Sequence, residues 1–182
     1  KRYRGETNTR LTLLIDASAS MGYGSGRINK LEYARFLAAS LFYMAHQQRD
    51  AAGLIVFDDQ VRNHLVPSSR HGQLVRLLHA LERIELGKHT DYQKPFLHFQ
   101  QFLFRPGIVA VISDFYAEPD LIVKTIEPLR FRGNEIILFH VLDPREIQPA
   151  FHRPVLLVDM ESEDAMDVSP EYAQVEYRAK ID

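Results

Sequence analysis

Three short runs, Leu11 to Ile15, Gly53 to Phe57 and Ile108 to Ile112, are almost wholly apolar, and each gives way within two residues to aspartate: Asp16, Asp58-Asp59 and Ser113-Asp114. Runs this short and this uniformly apolar, with β-branched members, suit strands covered on both faces. Helical patterns separate them. Asn29 and Glu32 have the spacing of a helix N-cap and its reciprocal N3 partner. Leu31, Ala34, Ala38, Leu41 and Ala45 then recur at intervals of three and four, which predicts a helix ending near His46 to Gln48.

The later segments continue the alternation. Asp58-Asp59 followed by Val61 to Val66 predicts a tight return into an antiparallel edge strand. Leu74, Val75, Leu78 and Leu81 predict a second helix, and Pro95 opens a third with Phe96, Phe99 and Leu103 on one side. Pro119 starts a fourth, carrying Leu121, Ile122, Ile126 and Leu129, with Gly133 as its terminator. Glu135 to Leu142 and Val155 to Val158 supply two further strands, and a last helix is expected after Ser169-Pro170. Phe36, Phe42, Phe96, Phe99 and Phe102 fall at helical spacing and are expected in the core.

Strands joined by helices require crossover connections, so the expected fold is α/β: doubly wound, with a mostly parallel six-stranded sheet, one antiparallel edge strand and helices on both faces. At 182 residues the chain is expected to form a single domain over residues 1–182, and it can bury about 70% of its extended surface without staples. It begins at Lys1 with no initiator Met, charged leader or apolar signal core, which suggests a domain excised from a longer protein.

Composition narrows the chemistry. With no cysteine, thiol catalysis, thiolate zinc sites, iron–sulfur clusters and disulfides are excluded. Twenty-two Lys plus Arg against 24 Asp plus Glu, a formal charge of −2, argues against nucleic acid or an anionic membrane as an electrostatic partner. A cytoplasmic domain is expected, in a parent protein that could carry a membrane anchor.

Ligands of doubly wound sheets sit outside the carboxyl ends of the strands, where strand order reverses. There the chain reads Asp16-Ala17-Ser18-Ala19-Ser20, one carboxylate and two hydroxyls at alternate positions. Asp114 is expected at the same edge, and Gly87-Lys88-His89-Thr90-Asp91 offers a further hydroxyl in Thr90. Oxygen donors without thiolate or imidazole suit a hard divalent cation, most naturally Mg2+, with Mn2+ or Ca2+ as substitutes.

These residues resemble the von Willebrand factor A domain: Asp-x-Ser-x-Ser after the first strand, Thr90 in a middle loop and Asp114 after the fourth major strand. The resemblance implies a metal-ion-dependent adhesion site in which Ser18, Ser20 and Thr90 are direct ligands. Asp16 and Asp114 would bind the ion directly or through water. More narrowly, Tyr3-Arg4-Gly5-Glu6, Asp50-Ala51-Ala52-Gly53-Leu54, Ile112-Ser113-Asp114-Phe115 and Leu142-Asp143-Pro144-Arg145-Glu146 resemble the bacterial family called domain of unknown function 58. That resemblance implies a partnership with a MoxR-type AAA ATPase. Where many adhesion-type members carry Gly after the last aspartate, this chain has Phe115.

The implied function is non-enzymatic: the ion completes its octahedron with an Asp or Glu from a partner protein, and rim loops Tyr23 to Arg27, Lys88 to Tyr92 and Phe115 to Glu118 set specificity. Other readings compete. The five side chains could form a polar cluster without metal, or Asp16 could be the nucleophile of a magnesium-dependent phosphatase. Against the latter, Ser18 stands where dehalogenase-like phosphatases have a second aspartate. Gly22-Tyr23-Gly24-Ser25-Gly26-Arg27 meets neither the dinucleotide nor the P-loop pattern. Asp159 to Asp167, with five acids and no base, reads as a solvated turn.

Overall fold

A computed structural model describes residues 9–88, 91–102, 105–148, 155–158 and 165–168. In chain order the elements are β1 (Arg10–Asp16), a 3-10 turn (Ala19–Gly22), α1 (Lys30–Gln47), β2 (Ala51–Phe57), β3 (Val61–Ser68), α2 (Gln73–Glu82), α3 (Gln93–Phe102), β4 (Ile108–Ser113), α4 (Pro119–Phe131), β5 (Glu135–His140), α5 (Pro144–Ile147), β6 (Val155–Val158) and β7 (Ala165–Val168).

The main sheet has the order β3-β2-β1-β4-β5. All pairs are parallel except β2 with β3, which returns antiparallel at the edge as the Asp58-Asp59 turn predicts. Strand order therefore reverses between β1 and β4. Their register sets Ile15 beside Ile112, so Asp16 and Ser113 end the two strands side by side, with Asp114 one residue further on.

Successive side chains of a strand point to opposite faces, and both faces here are covered. Leu13, Ile15, Leu54, Val56, Ala110 and Ile112 pack under Ala34, Ala38 and Phe42 of α1 and Leu77 and Leu81 of α2. On the other side Leu14, Ile55, Phe57, Val109 and Val111 meet Phe96 and Phe99 of α3 and Leu129 of α4. The expected capping box of α1 is present: Asn29 Oδ1 accepts from the Glu32 N–H (2.8 Å), and Glu32 Oε2 accepts from the Asn29 N–H (3.3 Å). Gly133 follows α4 at φ 84°, the left-handed conformation that a helix stop favours.

Three expectations are corrected. The described main sheet has five strands, not six, because β6 pairs with β7 in a separate antiparallel hairpin. A four-residue apolar run such as Val155 to Val158 carries no information about its partner, and a nearby segment can be reached with little loop-closure entropy. That segment is Ala165–Val168, so the end of the presumed acidic turn is strand. Phe36, expected in the core, is 63% exposed; it lies two residues from Ala38, on the opposite side of a 3.6-residue helix. The helix expected after Pro170 lies outside the described residues. No helix among the described residues is long and apolar enough to cross a membrane.

Candidate metal centre

The site is built at the carboxyl ends of β1 and β4. Asp16 is fully buried, and both of its oxygens are engaged. Oδ1 accepts the Ser18 N–H at 2.9 Å, which curls the loop so that the Ser18 side chain turns back toward the strand end. Oδ2 accepts the Ser113 hydroxyl at 2.6 Å and lies 3.3 Å from the Tyr92 hydroxyl, itself 2.9 Å from Ser113 Oγ. Burial, reinforced by the nearby Asp114 charge and only partly offset by these hydrogen bonds, pushes the Asp16 carboxyl up from 3.8 to about 6. Burial and the Asp16 carboxylate likewise push the Tyr92 phenol up, so it remains a hydrogen-bond donor.

Ser18 Oγ and Ser20 Oγ are 3.0 Å apart in a buried pair. Two neighbouring ligands of an octahedral magnesium, each at about 2.1 Å, stand about 3 Å apart, so the pair matches one edge of such an octahedron. Asp114 supplies a more direct fit. Its Oδ2 accepts from Lys30 Nζ at 2.8 Å, while its buried Oδ1 has no hydrogen-bond partner among the described residues. A buried carboxylate oxygen left unpaired is costly unless something positive reaches it. Among the described residues no group of three or more His, Asp or Glu side chains stands where it could hold a metal, so a cation here would depend on hydroxyls as much as on carboxylates.

Of the five residues expected to form the centre, Asp16, Ser18, Ser20 and Asp114 are thus brought to one strand edge. Thr90 and His89 lie outside the described residues. The segments flanking them are anchored against the site: Lys88 O accepts from the Ala19 N–H (3.4 Å), Gly87 N–H donates to Ala17 O (2.6 Å), and Asp91 N–H donates to Asp58 O (3.3 Å). Gly87 is required by this close approach, since an added Cβ would overlap Asp58 Oδ2 and stand 2.8 Å from its Cγ. Asp58 cannot give way easily, being buried and held by Gln60 N–H and Arg62 Nε. Gly87→Ala is therefore expected to cost about 2 kcal/mol in a denaturant melt; an unchanged melt would show that this contact does not position the loop.

The rim differs from the adhesion type at Phe115. It adopts φ 48°, a left-handed conformation that costs a non-glycine residue on the order of 1 kcal/mol. The conformation is held by the Phe115 N–H donating to Ser113 Oγ (2.9 Å), by stacking on Tyr92 and by an edge contact with His140. The site is thus backed by an aromatic wall where glycine would leave space.

Comparison with family models gives a match over residues 1–182 to "Protein of unknown function DUF58". The chain belongs to the DUF58 family. Two solved structures share its fold: the conserved hypothetical protein BatB from Bacteroides thetaiotaomicron (TM-score 0.62, 18% identity, 93% of this chain and 84% of that one) and an aerotolerance-related membrane protein from Bacteroides fragilis (TM-score 0.64, 17% identity, 93% and 86%). A weaker likeness is to the SpRpn10 VWA domain (TM-score 0.48, 13% identity, 70% and 72%). Among curated proteins none matches. In this DUF58 chain the strand order and the antiparallel edge match the doubly wound, mostly parallel α/β sheet expected from the sequence.

Three participants escaped sequence reasoning in this DUF58 domain: Ser113 and Tyr92, which hold Asp16, and Lys30. Lys30 is the first residue of α1 and is buried, with Nζ 2.8 Å from Asp114 Oδ2 and 2.6 Å from Glu146 Oε1. Burial alone would lower its pKa, but the two carboxylates outweigh that and raise it, so the ammonium stays charged. One signal was available, because a cation opposes the helix dipole at an N-terminus and needs an anionic partner there.

Proposed function

We propose that this domain is a metal-dependent protein-binding module, in which Mg2+ is held by Ser18, Ser20, Thr90 and Asp114, with Asp16 acting through water. The observation that carries this reading is the buried Oδ1 of Asp114, unpaired among the described residues, at the same strand edge as the 3.0 Å hydroxyl pair of Ser18 and Ser20. Anchoring of residues 87, 88 and 91 around the 17–19 loop and Asp58 supports a place for Thr90 at the same edge. With both oxygens already bonded, Asp16 has little capacity left for direct ligation and is better suited to orient Ser18 and a bound water.

A dication held by few anions keeps its appetite for another, so an open position on it would take an Asp or Glu from a partner protein. The surrounding exposed segment, Gly24 to Ile28, and Tyr116 would meet that partner. A MoxR-type AAA ATPase is the partner we propose, on the resemblance of the family motifs. The phosphatase alternative is disfavoured by the burial of Asp16 and by the engagement of both its oxygens in hydrogen bonds.

Magnesium titration calorimetry on the chain, alongside Ser18→Ala and Ser20→Ala, is expected to show a single binding event that either change weakens by about tenfold or more. Capture of an acidic partner is expected to require magnesium and to disappear in EDTA; identical capture in both would remove the metal bridge. Turnover of a phosphomonoester that vanishes in Asp16→Asn would replace the reading with the hydrolase one.

A further inference from the structure

Beyond the contact of Glu146 with Lys30, the Asp143-Pro144-Arg145-Glu146 segment ties the rim loop to the site. Asp143 caps α5: its Oδ1 accepts the Arg145 N–H at 2.8 Å, and its own N–H donates to Glu146 Oε2 at 2.7 Å. The other carboxylate oxygen of Asp143 accepts the Ser25 N–H of the rim loop at 2.8 Å. Glu146 is thereby fixed with its second oxygen, Oε1, against Lys30 Nζ. The ammonium also lies 5.8 Å from the ring centroid of Tyr23, in the same rim loop. Lys30 is therefore enclosed by the rim, by α5 and by Asp114, with only 4% of its surface exposed.

Resting on the metal reading above, we propose that Lys30 is a resident counter-cation that competes with the divalent ion for Asp114, and that Glu146 sets the strength of this competition by drawing the ammonium away. The physical basis is a charge count. Asp16, Asp114 and Glu146 carry three negative charges when ionised, and Lys30 returns one, leaving a deficit that one dication balances. The ammonium satisfies Asp114 Oδ2 and leaves Oδ1 for the metal. Removing the ammonium would leave the buried Asp114 and the half-buried Glu146 without their shared cation, and a stronger attraction for the metal. Removing the Glu146 charge would leave the ammonium with Asp114 as its sole anion among the described residues, and the metal would face a stronger rival. Lys30 and Glu146 are positioning residues in this scheme, acting on the ion through Asp114.

The two substitutions therefore move metal affinity in opposite directions. With Mn2+ as the probe, followed by the electron paramagnetic resonance of the free ion, Lys30→Met is expected to bind about tenfold more tightly than the unaltered chain, and Glu146→Gln about threefold more weakly. In thermal melts Lys30→Met is expected to unfold earlier than the unaltered chain in EDTA, and to show a larger rise in midpoint on adding Mn2+. A role in folding alone predicts lower midpoints for both variants with affinities unchanged or shifted together, and that result overturns the proposal while leaving the metal centre standing. If Lys30→Met does not fold, the weakening in Glu146→Gln decides the matter, since its side chain is partly exposed and the change keeps its shape. Absence of saturable Mn2+ binding by the unaltered chain would remove both this proposal and the reading it rests on.

Discussion

Asp16→Asn is expected to make the metal-free protein more stable near neutral pH, by about 2 kcal/mol, while abolishing magnesium binding. The sign follows from the direction of the shift. Burial raises the Asp16 carboxyl from 3.8 to about 6, so the folded state holds a proton that the unfolded state has already lost between those values. As pH rises through this window the native state must give that proton up, and the metal-free protein loses stability until about pH 6, beyond which the cost is constant. A shift of about two units is worth about 3 kcal/mol, and an amide avoids most of it while still accepting from the Ser18 N–H. Ser113 and Tyr92 carry hydroxyls that can reorient to receive an amide donor.

Denaturant melts in EDTA at about pH 7 and about pH 4.5 check this, because the advantage of Asp16→Asn should fall by about 2 kcal/mol, to near zero, at the lower pH. A variant less stable than the parent near neutral pH would show that the Asp16 carboxylate is well solvated by its hydrogen bonds. On the proposed metal reading, adding magnesium would reverse the order, since only the carboxylate form would gain from the ion. The site aspartate would then be a residue that trades stability of the empty domain for binding.

The opposite outcome is expected at Asp114. Asp114→Ala is expected to lose about 3 kcal/mol as well as magnesium binding, because removing one partner of a buried ion pair strands the other charge. The side chains of Lys30 and Asp114 are 3% and 0% exposed, so little water reaches either. Glu146 remains as a second anion for Lys30, which keeps the loss from being larger. The double variant Lys30→Met with Asp114→Ala should recover part of the loss in a double-mutant cycle, since no unpaired ammonium is left. Strict additivity of the two single changes would mean that the pair contributes no coupling. Two aspartates at one strand edge thus differ in sign for a simple reason: one is buried against hydroxyls, the other against a cation.

How far the sequence reaches can be judged from particular residues. Asn29 and Glu32, Gly133, the Asp58-Asp59 return and the apolar runs of β1, β2 and β4 each report local physics, namely capping, backbone conformation and burial on both faces. Such signals act over a few residues, so they are legible without a fold. Asp16, Ser18, Ser20 and Asp114 were legible for a related reason: a doubly wound sheet places strand ends at one edge, whatever its other details. Phe36 and the β6–β7 pairing were not legible, because burial of a helix flank and choice of strand partner depend on what else arrives nearby.

By itself, then, the order of residues determined the alternation of strand and helix, the edge at which chemistry would gather and the oxygen-rich character of the donors. Only the tertiary structure decided how those donors are poised. Ser113 and Tyr92 reach Asp16 across 97 and 76 residues of chain, and Lys30 reaches Asp114 across 84. Charge and solvation at a buried group are set by whatever surrounds it in space, and contacts across such separations exist only after the chain has closed on itself.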